Sequence, residues 1–221
     1  MLLRKKEEIE AWLNQYNVKN YELIPNKEYG YVVNVKDSLS LSFKGLKSLD
    51  VKFNEVNGFF DCSDNELKSL EGCPKKVKGD FDCSYNQLNS LEYSPKKVGQ
   101  DFECHNNKLK SLKGIAKIIK RDFFCNYNEL ESLENGPEII KGEYYCNNNK
   151  LKIEGLKFFP KEINKNYIDI RNNEKLGDLQ NIRNVKELKE KIEEIFKIKK
   201  EKENLIKIIN KDLKINKPNK I

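Results

Sequence analysis

Residues 60–70 read FDCSDNELKSL, residues 81–91 FDCSYNQLNSL, residues 102–112 FECHNNKLKSL, residues 123–133 FFCNYNELESL and residues 144–153 YYCNNNKLKI. One template runs through all five. Cys62, Cys83, Cys104, Cys125 and Cys146 fall 21 residues apart, each with an aromatic two before, Asn three after and Leu five after. A β-branched residue stands six before each of them (Val56, Val77, Val98, Ile119, Ile140), and Pro74, Pro95 and Pro137 stand twelve after three of them. A fixed period of this length marks a stack of repeated units, none of which can bury its apolar side chains alone.

The template continues, worn, at both ends. Val35, Leu39, Leu41, Leu46 and Leu49 keep its register before the first cysteine, with Lys44 in place of the Asn. After Cys146 the segment KIEGLKFFPKEI carries about two inserted residues, and Ile168, Ile170 and Asn173 resume the pattern. End turns have one neighbour rather than two, so wear is expected there. The count is about seven turns, with a cap over 1–34, the solenoid over 35–183 and a Lys/Glu-rich helical segment over 184–221.

The pattern aromatic-x-Cys-x-x-Asn-x-Leu-x-x-Leu resembles the leucine-rich repeat and matches its LxLxxNxL core position by position. It is most similar to a short, 21-residue variety found in bacteriophage, prophage and low-GC bacterial proteins. The resemblance implies an α/β repeat solenoid with a parallel β-sheet on one face and helical N- and C-terminal flanks. It also implies a binding scaffold of unspecified partner. In that group an amphipathic helix and a short strand pair often precede the first repeat, and residues 4–35 fit both.

Period-two alternation turns the aromatic and the cysteine of each copy inward. The Asn column (Asn65, Asn86, Asn107, Asn128, Asn149, Asn173) follows the strand, where its amides can satisfy backbone groups left open by the bend. Ile9, Trp12, Leu13 and Tyr16 share one face of a helix over 4–16. Val185, Leu188, Ile192, Ile195, Ile206, Ile209 and Leu213 recur at helical steps over 185–215, but Lys199 and Lys202 interrupt the seam. That interruption predicts two helical pieces with a break or exposed stretch between them, and KINKPNKI reads as a frayed tail.

The 221 residues carry 42 Lys+Arg against 35 Asp+Glu, a formal net charge of +7, with 35% charged and 38% hydrophobic residues. That excess is small for a protein that wraps duplex nucleic acid. No stretch has the length and apolarity of a membrane span, and MLLRKKEEIEAWLNQY lacks the apolar core of a secretory signal. Cysteines in parallel register have poor disulfide geometry, and none has the close paired spacing of a zinc site. They read as a reduced ladder of small apolar groups, which implies a reducing, cytoplasmic compartment. Cys73 lies outside the ladder and reads as an exposed loop thiol. No phosphate-binding glycine loop occurs, His105 is the one histidine, and about 45 residues after the repeats leave no room for a catalytic domain. The chain reads as a non-enzyme without cofactor or metal.

The outward strand positions lie three and one before each template cysteine and one and two after it. They hold nine acids (Asp61, Asp64, Asp80, Asp82, Asp101, Glu103, Asp122, Glu143, Asp169) and seven aromatics (Phe43, Phe59, Tyr85, Phe124, Tyr127, Tyr145, Tyr167). Arg171 is the single basic residue there, and no lysine occurs. Duplication of one Asp-bearing unit explains part of this acidity; the changing aromatics are explained less well. The expected partner is another protein with a basic surface, held by Asp61, Asp80, Asp82, Asp101, Glu103, His105, Tyr85, Asp122, Phe124, Tyr127, Glu143 and Tyr145. If the phage resemblance reflects origin, that surface could be the nucleic-acid groove of a CRISPR-type host defence nuclease. Two alternatives stand beside this. Lys75, Lys76, Lys96, Lys97, Lys117 and Lys120 on the returning segments, with 12 Lys and 7 acids in residues 186–221, could contact nucleic acid. The C-terminal helix could instead assemble copies of the chain.

Overall fold

The computed structural model describes the backbone of residues 2–215 and the side chains of residues 2–210. It is a repeat solenoid of seven parallel-strand turns with a helix at each end. The front ladder is built from strands of two residues: Leu39–Ser40, Phe60–Asp61, Phe81–Asp82, Phe102–Glu103, Phe123–Phe124, Tyr144–Tyr145 and Ile168–Asp169. Each pairs in parallel with the copy one turn on, so Phe60 lies against Phe81, Phe81 against Phe102 and Phe123 against Tyr144. The first residue of each strand is buried, as the period-two pattern demands.

Stacking puts like on like through the interior. Phe53, Phe60, Phe81, Phe102, Phe123 and Tyr144 form one column with ring centroids 5.1–6.0 Å apart. Beside it run the template cysteines and the leucines five and eight after them, all at most 1% exposed. The Asn column does what its position predicts. Asn86 Oδ1 accepts from Leu67 N of the preceding turn at 2.9 Å, and its Nδ2 donates to the carbonyls of Cys62 (2.9 Å), Cys83 (3.2 Å) and Ser84 (3.1 Å). Asn107, Asn128, Asn149 and Asn173 repeat the arrangement. Each amide therefore joins two turns where the strand ends and the backbone would otherwise be unpaired.

The returning segments form a second, back ladder. Phe53–Val56, Lys76–Val77 and Lys97–Val98 pair in parallel, as do Ile118–Ile119, Ile139–Ile140 and Glu162–Ile163. These are the β-branched positions six before each cysteine. Between Val98 and Ile119 the ladder is interrupted, giving a five-stranded and a three-stranded sheet. The first of these begins with the hairpin β1 (Tyr21–Asn26) and β2 (Gly30–Val35), in which β1 is an edge strand and tolerates Pro25. Counting along the late turns, Ile163 pairs 23 residues after Ile140 and Ile168 pairs 24 after Tyr144. Two residues are thus inserted before Ile163, in the segment that forms a 3-10 helix over Ile153–Phe158, and a third follows it.

Helix α1 (Lys6–Gln15) buries Ile9, Trp12 and Leu13 over the first turn, with Trp12 edge-on to Phe53 at 6.2 Å. At the other end a 3-10 segment (Glu174–Asn181) buries Leu176 and Leu179. Helix α2 (Val185–Ile215) then begins with Asn184 Oδ1 accepting from Glu187 N at 3.0 Å, an N-cap. Val185, Leu188 and Ile192 are buried against the last turns.

Two expectations are corrected here. The helix is continuous through Lys199 and Lys202, which face water or surface carboxylates, as in the Lys199–Glu154 pair. Loss of an apolar seam ends packing, not the helix, because Lys and Glu are good helix formers. Residues 201–210 are exposed throughout. The side chain of Leu213 and most of the KINKPNKI tail lie outside the described residues. Cys73 is fully buried rather than an exposed thiol. It sits inside the turn next to Cys62, and all six cysteines are free and buried. The interior raises the thiol pKa of Cys62, Cys83, Cys104 and Cys146, chiefly through a bond from the Cys62 thiol to Cys73 in the first case and through burial in the others. Among the described residues no group of His, Cys, Asp or Glu is arranged to hold a metal ion, and no helix is long and apolar enough to cross a membrane.

Candidate functional site

Four columns of side chains run along the front ladder, and each does something different. The column one before the cysteine reads Ser40, Asp61, Asp82, Glu103, Phe124, Tyr145, Asp169 in direct register. Between Ser40 and Asp169 at its ends, it runs through three acids (Asp61, Asp82, Glu103) and then two aromatics (Phe124, Tyr145). Parallel neighbours lie roughly 4.8 Å apart, so three carboxylates stand within about 10 Å. Burial, followed by the fields of Glu103 and Asp61, raises the Asp82 carboxyl to about 6, against bonds from Ser84 that favour the charged form. Phe124 and Tyr145 stack at 4.7 Å and 9°, and Tyr167 adds a tilted ring at 5.6 Å. Burial and a bond to Glu143 hold the Tyr145 hydroxyl above its ordinary pKa.

The column three before the cysteine has a structural task that the sequence did not disclose. Asp80 Oδ1 accepts from Asp101 N (3.0 Å), Asp101 Oδ1 from Asp122 N (2.8 Å) and Asp122 Oδ1 from Glu143 N (2.8 Å). Ser38 Oγ does the same for Phe59 N at 3.2 Å. Each side chain therefore closes the backbone of the next turn, so the acidity of this column is partly built into the fold. Burial raises the Asp101 carboxyl, with Arg121 3.5 Å away opposing it. Lys165 approaches both Asp122 and Glu143 at 3.8 Å, so the acidic strip is bordered by basic side chains that its own positions exclude.

The column one after the cysteine is less outward than period two implies. Ser63 and Ser84 are buried and bonded to Asp61 and Asp82. His105 is half-buried, its Nδ1 2.8 Å from Asn106 Nδ2 and its Nε2 3.6 Å from Glu103. Asp169, counted among the outward acids, is also buried, with 3% exposure. Burial pushes its carboxyl up, but bonds from Arg171 and the charges of Arg171 and Arg183 outweigh this and hold it below the ordinary value. It braces the last turn and offers nothing to a partner.

The column two after the cysteine is the most informative. Phe43, Asp64, Tyr85, Asn106, Tyr127, Asn148 and Asn172 all have left-handed backbone, with φ between 50° and 54°. Asp and Asn tolerate this region through local hydrogen bonds, whereas a bulky aromatic does not. Rings nevertheless occupy every second slot over the first five turns. They are exposed: Phe43 by 78%, Tyr85 by 52% and Tyr127 by 51%. Tyr85 meets the edge of His105 at 5.2 Å, its one aromatic contact among the described residues.

The expected site residues thus divide. Asp61, Asp82, Glu103, Phe124, Tyr145, Tyr85, Tyr127 and His105 lie together on the front face. Asp80, Asp101 and Asp122 lie at its margin as backbone acceptors, and Glu143 is tied to Tyr145. Phe43, absent from the expected set, is the most exposed ring of the face. Its register with Tyr85 and Tyr127 at steps of 42 residues was the available signal. No protein-family model, no curated protein and no solved structure matches the chain.

Proposed function

We propose that this chain is a non-enzymatic protein-binding module that grips its partner with the front strand face. The observation that carries the proposal is the set of exposed rings at left-handed positions. Asp64, Asn106, Asn148 and Asn172 make the same turn at lower conformational cost, so the fold itself does not call for Phe43, Tyr85 or Tyr127. Rings presented on a rigid sheet are the side chains that dominate protein interfaces, because they bury large area with little loss of freedom. Asp61, Asp82 and Glu103, beside them, favour a partner carrying basic groups and would steer its approach.

A finer proposal follows from the same segregation of charge and from the sequence resemblance to phage repeat proteins. The partner's basic surface would be a nucleic-acid groove, as in a CRISPR-type host defence nuclease, and the solenoid would occlude it. The test is capture from nuclease-treated lysate of the native or host cell, comparing the wild type with Tyr85→Asn/Tyr127→Asn and with Glu103→Lys. Glu103 is chosen because Asp80 and Asp101 hold backbone, so reversing their charge would disturb the turns themselves. Loss of one specific protein with both variants supports the face; release of that protein by its nucleic-acid ligand supports occlusion. Equal capture by all three chains refutes the reading.

A further inference from the structure

The back ladder carries the opposite charge. Its cleft of about 540 Å³ near the first turns is lined by Lys75, Lys76, Lys96 and Lys97, with Lys52 at its floor. It is continuous, through Lys76, Lys96 and Lys97, with a second cleft of about 610 Å³ that adds Lys78, Lys117 and Lys120. Glu55 is the one carboxylate lining either cleft, and Lys76 (2.7 Å) and Lys78 (3.8 Å) share it. Glu28 and Glu71 stand near Lys52 without lining the cleft, and Lys117 reaches Glu138 at 3.8 Å. Lys75, Lys97 and Lys120 have no ion pair among the described residues.

Three features separate this groove from an ordinary solvated lysine surface. First, the lysines are in register: Lys76 and Lys97 are direct partners in the parallel ladder, so their backbones lie roughly 4.8 Å apart and both side chains leave the same face of the sheet. Second, Lys52 is only 8% exposed, and its ammonium donates to a single carbonyl, Cys73 O at 2.7 Å. Burial lowers its pKa, and the nearby Glu71 and Glu28 do not offset this. Third, Tyr93 stands at the cleft edge with φ 68° and 58% exposure, at a turn position where Gly72, Gly114 and Asn135 serve the neighbouring turns. A ring in a slot suited to Gly or Asn is again placed against backbone preference. Tyr29 lines the same end, and Ile118, 47% exposed, lies among the lysines at the ladder interruption.

We propose that this lysine-lined groove binds single-stranded nucleic acid, its phosphates following the lysine row and its bases stacking on Tyr93 and Tyr29. A row of point charges suits a polyanion, and flat rings beside it suit unpaired bases. A duplex hides those base faces, and an acidic peptide has none. The groove is on the ladder opposite the acidic face, so this inference stands or falls independently of the partner proposed there.

The test is fluorescence anisotropy of labelled 12-nucleotide dT and U strands with the full chain between 50 and 200 mM salt, conditions chosen for the slope. About four phosphate contacts give a log–log slope near −3, a loss of roughly fifty-fold over that range. Lys76→Gln/Lys97→Gln should flatten the slope by about 1.4. Tyr93→Asn should weaken binding roughly five-fold or more while leaving the melting temperature equal or higher, which separates lost stacking from lost folding. Absence of binding at 50 mM salt overturns the proposal. So does binding that survives both variants and vanishes on removal of residues 201–221. Equal affinity for a poly-glutamate peptide, unaffected by Tyr93→Asn, also overturns it and assigns the groove to an acidic chain.

Discussion

Replacing Phe43, Tyr85 and Tyr127 by Asn should make the protein more stable. An L residue without a local hydrogen bond loses roughly 1–2 kcal/mol in the left-handed region, and Asn recovers about half of that. The backbone at the three positions has φ of 54°, 50° and 53°, so the whole difference applies. Against it stands whatever packing each ring makes. Phe43, 78% exposed, has least to lose, Tyr127 is intermediate, and Tyr85 forfeits its edge contact with His105. Successive sites lie two turns, roughly 10 Å, apart, far enough for their effects to add. The triple variant should therefore gain about 2 kcal/mol, which for a chain of this size raises the melting temperature by roughly 4–8 °C. The single variants should rank Phe43→Asn first and Tyr85→Asn last. Thermal unfolding followed by circular dichroism, with calorimetry on the triple variant, reads both. A lower melting temperature in the triple variant would show that the rings pack for the fold, and the argument from misplaced aromatics would collapse.

Asn86→Ala removes a side chain that closes four backbone groups across two turns, so it should destabilise by about 2–4 kcal/mol in a denaturant titration; a loss under about 0.5 kcal/mol would mean that the column is decorative. Asp82 has a folded pKa of about 6, raised above its unfolded value, so its contribution is fully present below about pH 4 and is lost as pH rises through 6. Asp82→Asn should flatten that segment of the stability–pH curve, and an unchanged curve refutes the raised carboxyl. All six thiols should resist an aromatic disulfide reagent in the native state and react fully in denaturant, whereas rapid labelling of Cys73 alone would contradict its burial. Because residues 201–210 are exposed, ending the chain at residue 200 should leave the melting temperature within about 1 °C.

Much of this architecture is legible in the chain because the repeat amplifies every preference. Phe60, Cys62, Asn65, Leu67 and Leu70 recur in so many copies that chance cannot mimic them, and their alternation assigns inside and outside. The back ladder went unread: Val56, Val77, Val98, Ile119 and Ile140 mark a recurring β-branched position, but two-residue strands are too short to show a period of their own, and a sheet was expected on one face only. Sequence could not separate Asp80, Asp101 and Asp122, which accept backbone bonds from the next turn, from Asp61 and Glu103 on the same face. Both are outward acids by count, and only register distinguishes them. Nor could it place Cys73, which lies outside the template, follows the left-handed Gly72 (φ 99°) and is nevertheless fully buried. Left-handed backbone at Phe43, Tyr85, Tyr127 and Tyr93 was hidden for the opposite reason: aromatic residues are not ordinary markers of that conformation.

We propose that the exposed rings on the front face are kept for a partner. This is tested most directly by capture of partners from nuclease-treated lysate at 150 mM salt, with the wild type and the Phe43→Asn/Tyr85→Asn/Tyr127→Asn variant side by side. The expected result is a protein retained by the wild type and lost by a variant that melts at a higher temperature. Retention of the same protein by both chains, or of none by either, would contradict it.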